Sequence, residues 1–131
     1  MNNTQIVVKR FLQYFTERDL NNIIMLFSEN IDWYIPGNIE KAPWLGKRKN
    51  RHEVSEFYQM LWRNTEPVSA TIDDIFINDR NAVIAGEFST RMLRTGKMVN
   101  SLFFILMTVG NGQITKYRLL EDSYAVSIAL G

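Results

Sequence analysis

The sequence of 131 residues contains no cysteine, which excludes disulfides, thiolate nucleophiles and cysteine-based metal sites. With one histidine, His52, a zinc centre is hard to assemble, and no metal is expected. Net charge is nearly absent as well: 15 Lys and Arg face 14 Asp and Glu, leaving +1, too weak a field to gather a phosphate backbone. Nucleic acid is therefore not an expected partner. The one dense basic run, Lys47, Arg48, Lys49 and Arg51, reads as a solvated loop, with an anionic ligand at a pocket rim as the alternative. Long apolar runs are missing too. The longest, Leu102 to Val109, is strand-sized, and the apolar stretch near the N-terminus is broken by Lys9 and Arg10, so neither a membrane span nor a signal peptide is expected. A cytoplasmic location is the default.

What is present is an ordinary globular composition, 46% hydrophobic and 22% charged, in a chain of the size of one domain, residues 1–131. From Thr4 to Glu17 apolar residues recur at helical intervals, with Thr4 as a candidate cap. Asp19 is placed to cap a short second helix. Ile31 to Ile35 alternates as a strand ending at Pro36-Gly37, and the next dozen residues have no convincing period. Asn50 with Glu53 fits a capping pair, followed by Val54, Phe57, Tyr58, Leu61 and Trp62 on one face of a third helix that Pro67 ends. The period then switches to two over Val68 to Ile77, Ala82 to Leu93, Val99 to Val109 and Gln113 to Tyr124, joined by short polar turns. Helices followed by an antiparallel meander predict an α+β domain in which the helices cover one face of a curved sheet and enclose an apolar pocket. Trp33 to Gly37 and Pro43 to Gly46 bring two tryptophans beside chain reversals, a layout suited to the pocket mouth.

The order of helix, short helix, strand ending in Pro-Gly, Trp-Leu-Gly loop, helix and meander resembles the NTF2-like superfamily, and within it SnoaL-like proteins related to ketosteroid isomerase. The resemblance rests on Phe27, Trp33 to Gly37, Trp44-Leu45-Gly46, the Arg51 to Leu61 helix, Thr95-Gly96, Gly112-Gln113-Ile114 and Asp122 to Leu130. It implies a cone of three N-terminal helices on a curved antiparallel sheet, a small hydrophobic ligand of polyketide, steroid or aromatic-ketone type, a homodimer, and cofactor-free acid–base chemistry of the isomerase or cyclase kind. The alternative is a non-catalytic ligand-binding or dimerisation domain. Authentic ketosteroid isomerase chemistry is not implied. Ile35 stands where that enzyme has its aspartate base, and Phe11 and Ile105 align with the two donors of its oxyanion hole; none of the three can exchange a proton.

The candidate catalytic residues are therefore Asp122, Glu121 and Tyr58. Asp122 matches the late-strand aspartate of SnoaL-type cyclases, Glu121 is its neighbour of opposite parity, and one of the two should face inward. An inward carboxyl should have a raised pKa, whereas an outward one would pair with Arg118 or Arg91. Tyr58 matches a tyrosine supporting the isomerase oxyanion network, and either donates to a ligand carbonyl or only packs its helix. Phe11, Phe15, Trp33, Ile35, Trp44, Phe57, Leu61, Phe88, Met92, Phe103, Ile105 and Leu119 are the expected pocket wall, with Trp44 the loop contact. His52, beside Arg51 in the first helical turn, is either a base at the mouth or an exposed and idle side chain.

Overall fold

A computed structural model describes residues 3–131. The chain runs α1 (Asn3–Glu17), α2 (Leu20–Ile23), a 3₁₀ turn (Ile24–Leu26), β1 (Phe27–Ile35), β2 (Gly46–Asn50), α3 (Arg51–Asn64), β3 (Thr65–Ile77), β4 (Asn81–Met92), β5 (Met98–Gly110), β6 (Gln113–Glu121) and α4 (Ser123–Leu130). The strands form one open sheet in the order β2-β1-β6-β5-β4-β3. The fold is the expected α+β cone, with helices packed on a curved and mostly antiparallel sheet.

Three features depart from the sequence-based expectation. The sheet has six strands, because Gly46–Asn50 forms an edge strand where an irregular loop is expected. β1 lies parallel to β6, so the sheet is not antiparallel throughout. The chain also ends in α4, with Asp122 as its cap, where strand was expected up to Tyr124.

The caps show why the helices begin and end where they do. Asp19 accepts from the Asn22 N–H, and Asn50 accepts from the Glu53 N–H at 2.9 Å while the Glu53 carboxylate accepts from Lys49 N–H. Thr4 is not a cap: it lies within α1, buried, and its hydroxyl donates to the Asp79 carbonyl, tying α1 to the β3–β4 turn. Nor does Pro67 end α3. The last turn closes when Asn64 and Thr65 side chains donate to the Met60 and Leu61 carbonyls and Arg18 donates to those of Trp62 and Thr65. Pro67 sits inside β3, tolerated because β3 is an edge strand.

Curvature comes from bulges. Register shifts interrupt β1 against both neighbours, β3 against β4 at two places, and β5 against β6 near Thr108. Gly86 lies opposite one of them, and a Cβ there would stand 2.1 Å from the Thr71 carbonyl oxygen and 3.0 Å from the Phe103 ring. The bend of β3 over β4 thus needs a residue without a side chain.

The concave face carries the core. Ile31, Trp33 and Ile35 of β1, Val99 to Val109 at odd positions of β5, and Ala82 and Ile84 of β4 turn inward against Val7, Val8 and Phe11 of α1 and Val54, Phe57 and Tyr58 of α3. The outer face is unusually apolar: Leu102 is 63% exposed, Phe104 51%, Leu120 54% and Phe76 59%.

Candidate functional site

The base of the cone is filled by an aromatic cluster. Trp33 stacks on Tyr117 with ring centroids 4.1 Å apart and 16° between planes, and meets Phe57 edge-on at 4.9 Å. Phe27, Tyr58 and Phe11 close around that pair, and Phe15 and Trp62 extend the cluster along α1 and α3. This order follows from register. Arg48, Trp33 and Tyr117 are opposed residues of β2, β1 and β6 and form one row across the sheet.

Two phenols are enclosed in this cluster. Burial pushes the Tyr58 hydroxyl well above its ordinary pKa, with Tyr117 adding to the effect, and burial followed by the Glu121 carboxylate raises Tyr117 in the same direction. Both are therefore neutral hydrogen-bonding groups near pH 7.

Farther along β6, Tyr117, Leu119 and Glu121 share the inward parity. Glu121 closes the strand opposite Phe103 and is partly buried. Burial pushes its carboxyl up to about 7, with a smaller contribution from the Asp122 carboxylate. Asp122 itself is exposed, and its carboxylate accepts from the Ala125 N–H as the cap of α4, while its own N–H donates to the Ser101 hydroxyl at 2.8 Å. Arg118 and Arg91, considered as partners for the outward carboxyl, bind Asp32 and Glu66 instead.

The two chain reversals marked in the sequence do meet here. A Cβ on Gly37 would touch Leu45 and Ser123, so the end of β1, the Trp44 loop and the start of α4, two residues past Glu121, converge. Trp44 is buried at 4% exposure rather than standing at an open rim, because Arg48 reaches back to the Pro43 and Trp44 carbonyls and pins the loop inward.

The remaining wall candidates fall on the concave face. Phe11, Ile35, Met92, Phe103 and Ile105 are buried, and Leu61, Phe88 and Leu119 partly so. Phe15 is 39% exposed, although its ring reaches Tyr58 and Trp62. His52 is exposed on α3, 3.8 Å from Glu56. Tyr117 was not among the sequence candidates, and the signal that finds it is its parity with Glu121. Two open hollows lie outside the cluster. One, of about 360 Å³, is lined by Ser69, Thr71, Glu87, Ser89 and Asn100 among others, and the other, of about 350 Å³, lies between α4 and the start of β5.

Residues 8–117 match the family profile described as the SnoaL-like domain. This chain is a member of the SnoaL-like family. Solved structures agree with that fold. An NTF2-like protein from Burkholderia xenovorans LB400 superposes with a TM-score of 0.88 at 19% identity, covering 98% of this chain and 96% of the other. A protein from Mesorhizobium loti, provisionally named as a SnoaL-like polyketide cyclase, gives 0.71 at 19% identity over 88% and 96%. An LEH-like epoxide hydrolase from M. tuberculosis gives 0.74 at 12% identity over 98% and 89%. No curated protein matches the sequence. No described helix is long and apolar enough to cross a membrane.

Proposed function

We propose that this SnoaL-like chain binds a small hydrophobic molecule of polyketide, steroid or aromatic-ketone type in its cone and moves a proton on it without a cofactor. The observation that carries the proposal is Glu121, a carboxyl on the inward face of β6 with a pKa pushed up to about 7. At neutral pH such a group is present in both protonation states, which suits general acid–base catalysis. Tyr58, at the far end of the cone, would donate to a second oxygen of the ligand rather than to the carbonyl beside the reacting carbon, and the aromatic walls would hold a flat apolar body. Asp122, busy as a helix cap, is assigned the supporting role of raising its neighbour. The reaction is not that of ketosteroid isomerase: Phe11, Ile35 and Ile105, at the positions of that enzyme's key groups, are buried apolar side chains. Support from relatives is at family level, since the Mesorhizobium and mycobacterial neighbours bear the names of a cyclase and a hydrolase.

The test is exchange of the methyl protons of 2-acetonaphthone for deuterium, followed by NMR. Wild type should accelerate exchange, with a rate inflection near pH 7, and Glu121→Gln should abolish the acceleration while folding is retained. An undiminished rate in Glu121→Gln would defeat the assignment. A second reading, ligand binding without catalysis, is favoured by the interlocked packing of Trp33, Tyr117, Phe57 and Phe27, and predicts binding of the ketone with no exchange in either protein.

The same proposal includes a homodimer formed through the outer sheet face. Leu102, Phe104 and Leu120 of adjacent strands form a contiguous apolar surface of the kind that marks association sites.

A further inference from the structure

Among the described residues, three buried side-chain polar atoms have no hydrogen-bond partner: Trp33 Nε1, Arg48 Nε and Tyr58 OH. All three carry a proton to donate, and among the described side chains no buried atom that can only accept is left unpaired. They are close neighbours. Trp33 and Arg48 face each other across β1 and β2, the Arg48 guanidinium lies 6.0 Å from the centre of the Phe57 ring, and that ring is 4.9 Å from both Trp33 and Tyr58. Trp33 and Tyr58 are 1% and 0% exposed. The guanidinium is also fixed: Arg48 Nη1 donates to the Glu53 carbonyl at 2.7 Å, and Nη2 donates to the Pro43 and Trp44 carbonyls, each at 3.4 Å.

Buried donors without acceptors are uncommon in folded proteins, and each needs a reason. Three around one phenylalanine, with none elsewhere among the described residues, have a common one. We infer that Trp33, Arg48 and Tyr58 form an oxygen-binding seat around Phe57 that takes an anionic oxygen of the ligand, a carboxylate, enolate or phenolate carried on an aromatic ring system. Anionic oxygen is favoured over a neutral carbonyl because Arg48 brings a permanent positive charge into a partly buried position. The row Arg48-Trp33-Tyr117 lies four residues of β6, roughly 13 Å of strand, from Glu121, so a molecule that engages both ends is elongated, as fused rings are. The inference rests on the proposed binding of a hydrophobic molecule in the cone and adds which atoms recognise it and what they recognise.

Three probes of one ring system test it by calorimetry and by the indole N–H resonances of 15N-labelled protein: 2-naphthoate, 2-acetonaphthone and 2-methylnaphthalene. Naphthoate should bind about tenfold or more tighter than the hydrocarbon, with the ketone between them. The Trp33 indole resonance, assigned by its loss in Trp33→Phe, should move downfield with naphthoate and stay in place with methylnaphthalene. Tyr58→Phe and Arg48→Met should each weaken naphthoate binding far more than hydrocarbon binding, so that most of the preference is lost. Tyr58→Phe deletes an oxygen that bonds to no protein group, so it keeps the test open where Arg48→Met or Trp33→Phe fails to fold. Equal affinity for all three probes, or a preference that survives Tyr58→Phe with an unmoved Trp33 resonance, would overturn the oxygen seat and leave hydrophobic binding standing. Failure of every probe to bind up to its solubility would overturn both.

Discussion

Glu121 gives the sharpest quantitative expectation, because a buried carboxyl links protonation to stability. When the chain is folded its carboxyl holds a proton up to about pH 7, against an ordinary value of 4.5 when unfolded. Between those values the unfolded state binds fewer protons than the folded one, so the free energy of unfolding falls as pH rises. At about 1.4 kcal/mol per pH unit, the window from 4.5 to 7 amounts to roughly 3 kcal/mol lost by the time Glu121 ionises, with no further change above it. Wild type should therefore be more stable at pH 4.5 than at pH 7.5 as far as this residue is concerned. Glu121→Gln keeps the shape and removes the titration. Urea unfolding of both proteins from pH 4 to 8.5, expressed as variant minus wild type, cancels the other titrating groups and should give a curve rising by roughly 3 kcal/mol across that window. Asp122→Asn retains a good cap and removes the neighbouring charge, so it should move the upper edge of the window to lower pH. Parallel curves for wild type and Glu121→Gln would refute the burial of this carboxyl and the acid–base role built on it.

Gly86→Ala should destabilise the fold by about 3 kcal/mol in urea unfolding, because the new methyl group meets the Thr71 backbone carbonyl rather than a movable side chain; a loss under 1 kcal/mol would show that the β3 bulge relaxes freely. Tyr58→Phe should leave the ligand-free protein as stable as wild type or more stable by about 1 kcal/mol, since the hydroxyl bonds to no protein group; a melting temperature several degrees lower would reveal a hydrogen bond worth keeping. Phe104→Lys, on the outer face, should halve the mass measured by light scattering without changing the circular dichroism, and a wild-type chain that is already monomeric would reject the proposed dimer.

Legibility of the sequence followed local physics. Asp19 and Asn50 cap as their side chains suggest, and period-two alternation marks β4 and β5 because one face is core and the other is not. β2 is invisible to that signal: its inward residues are Gly46, Arg48 and Asn50, so no apolar alternation exists to be read. α4, Ser123–Leu130, is apolar on all sides, with Tyr124 and Ile128 exposed opposite Val126, Ala129 and Leu130, and such a run has no period to separate helix from strand. The parallel pairing of β1 with β6 depends on contacts distant in sequence. For the site, the family resemblance pointed to Asp122 and parity added Glu121, but only the helix start, which occupies Asp122 as a cap, distinguishes them.

Natural sequences tend to satisfy every local rule except where function demands otherwise, and the exceptions here cluster. Helices α2, α3 and α4 begin in side-chain caps, α3 closes on side-chain back-bonds, and the edge strand β3 is broken by bulges and Pro67. The donors without partners are on β1, β2 and α3, and the carboxyl with a raised pKa is on β6, the strand beside β1. All of these side chains turn into one cone. Ile35, at the end of β1, is apolar where the ketosteroid-isomerase resemblance implies a base, yet the sheet retains a titratable group, Glu121, on the neighbouring strand β6 at the same end. A chain that had merely lost its chemistry would be free to replace Glu121, Tyr58 and Trp33 with apolar residues and gain stability. On the proposed reading, a costly acid at one end of the cone and unpaired donors at the other are what a site for an elongated, oxygen-bearing molecule requires.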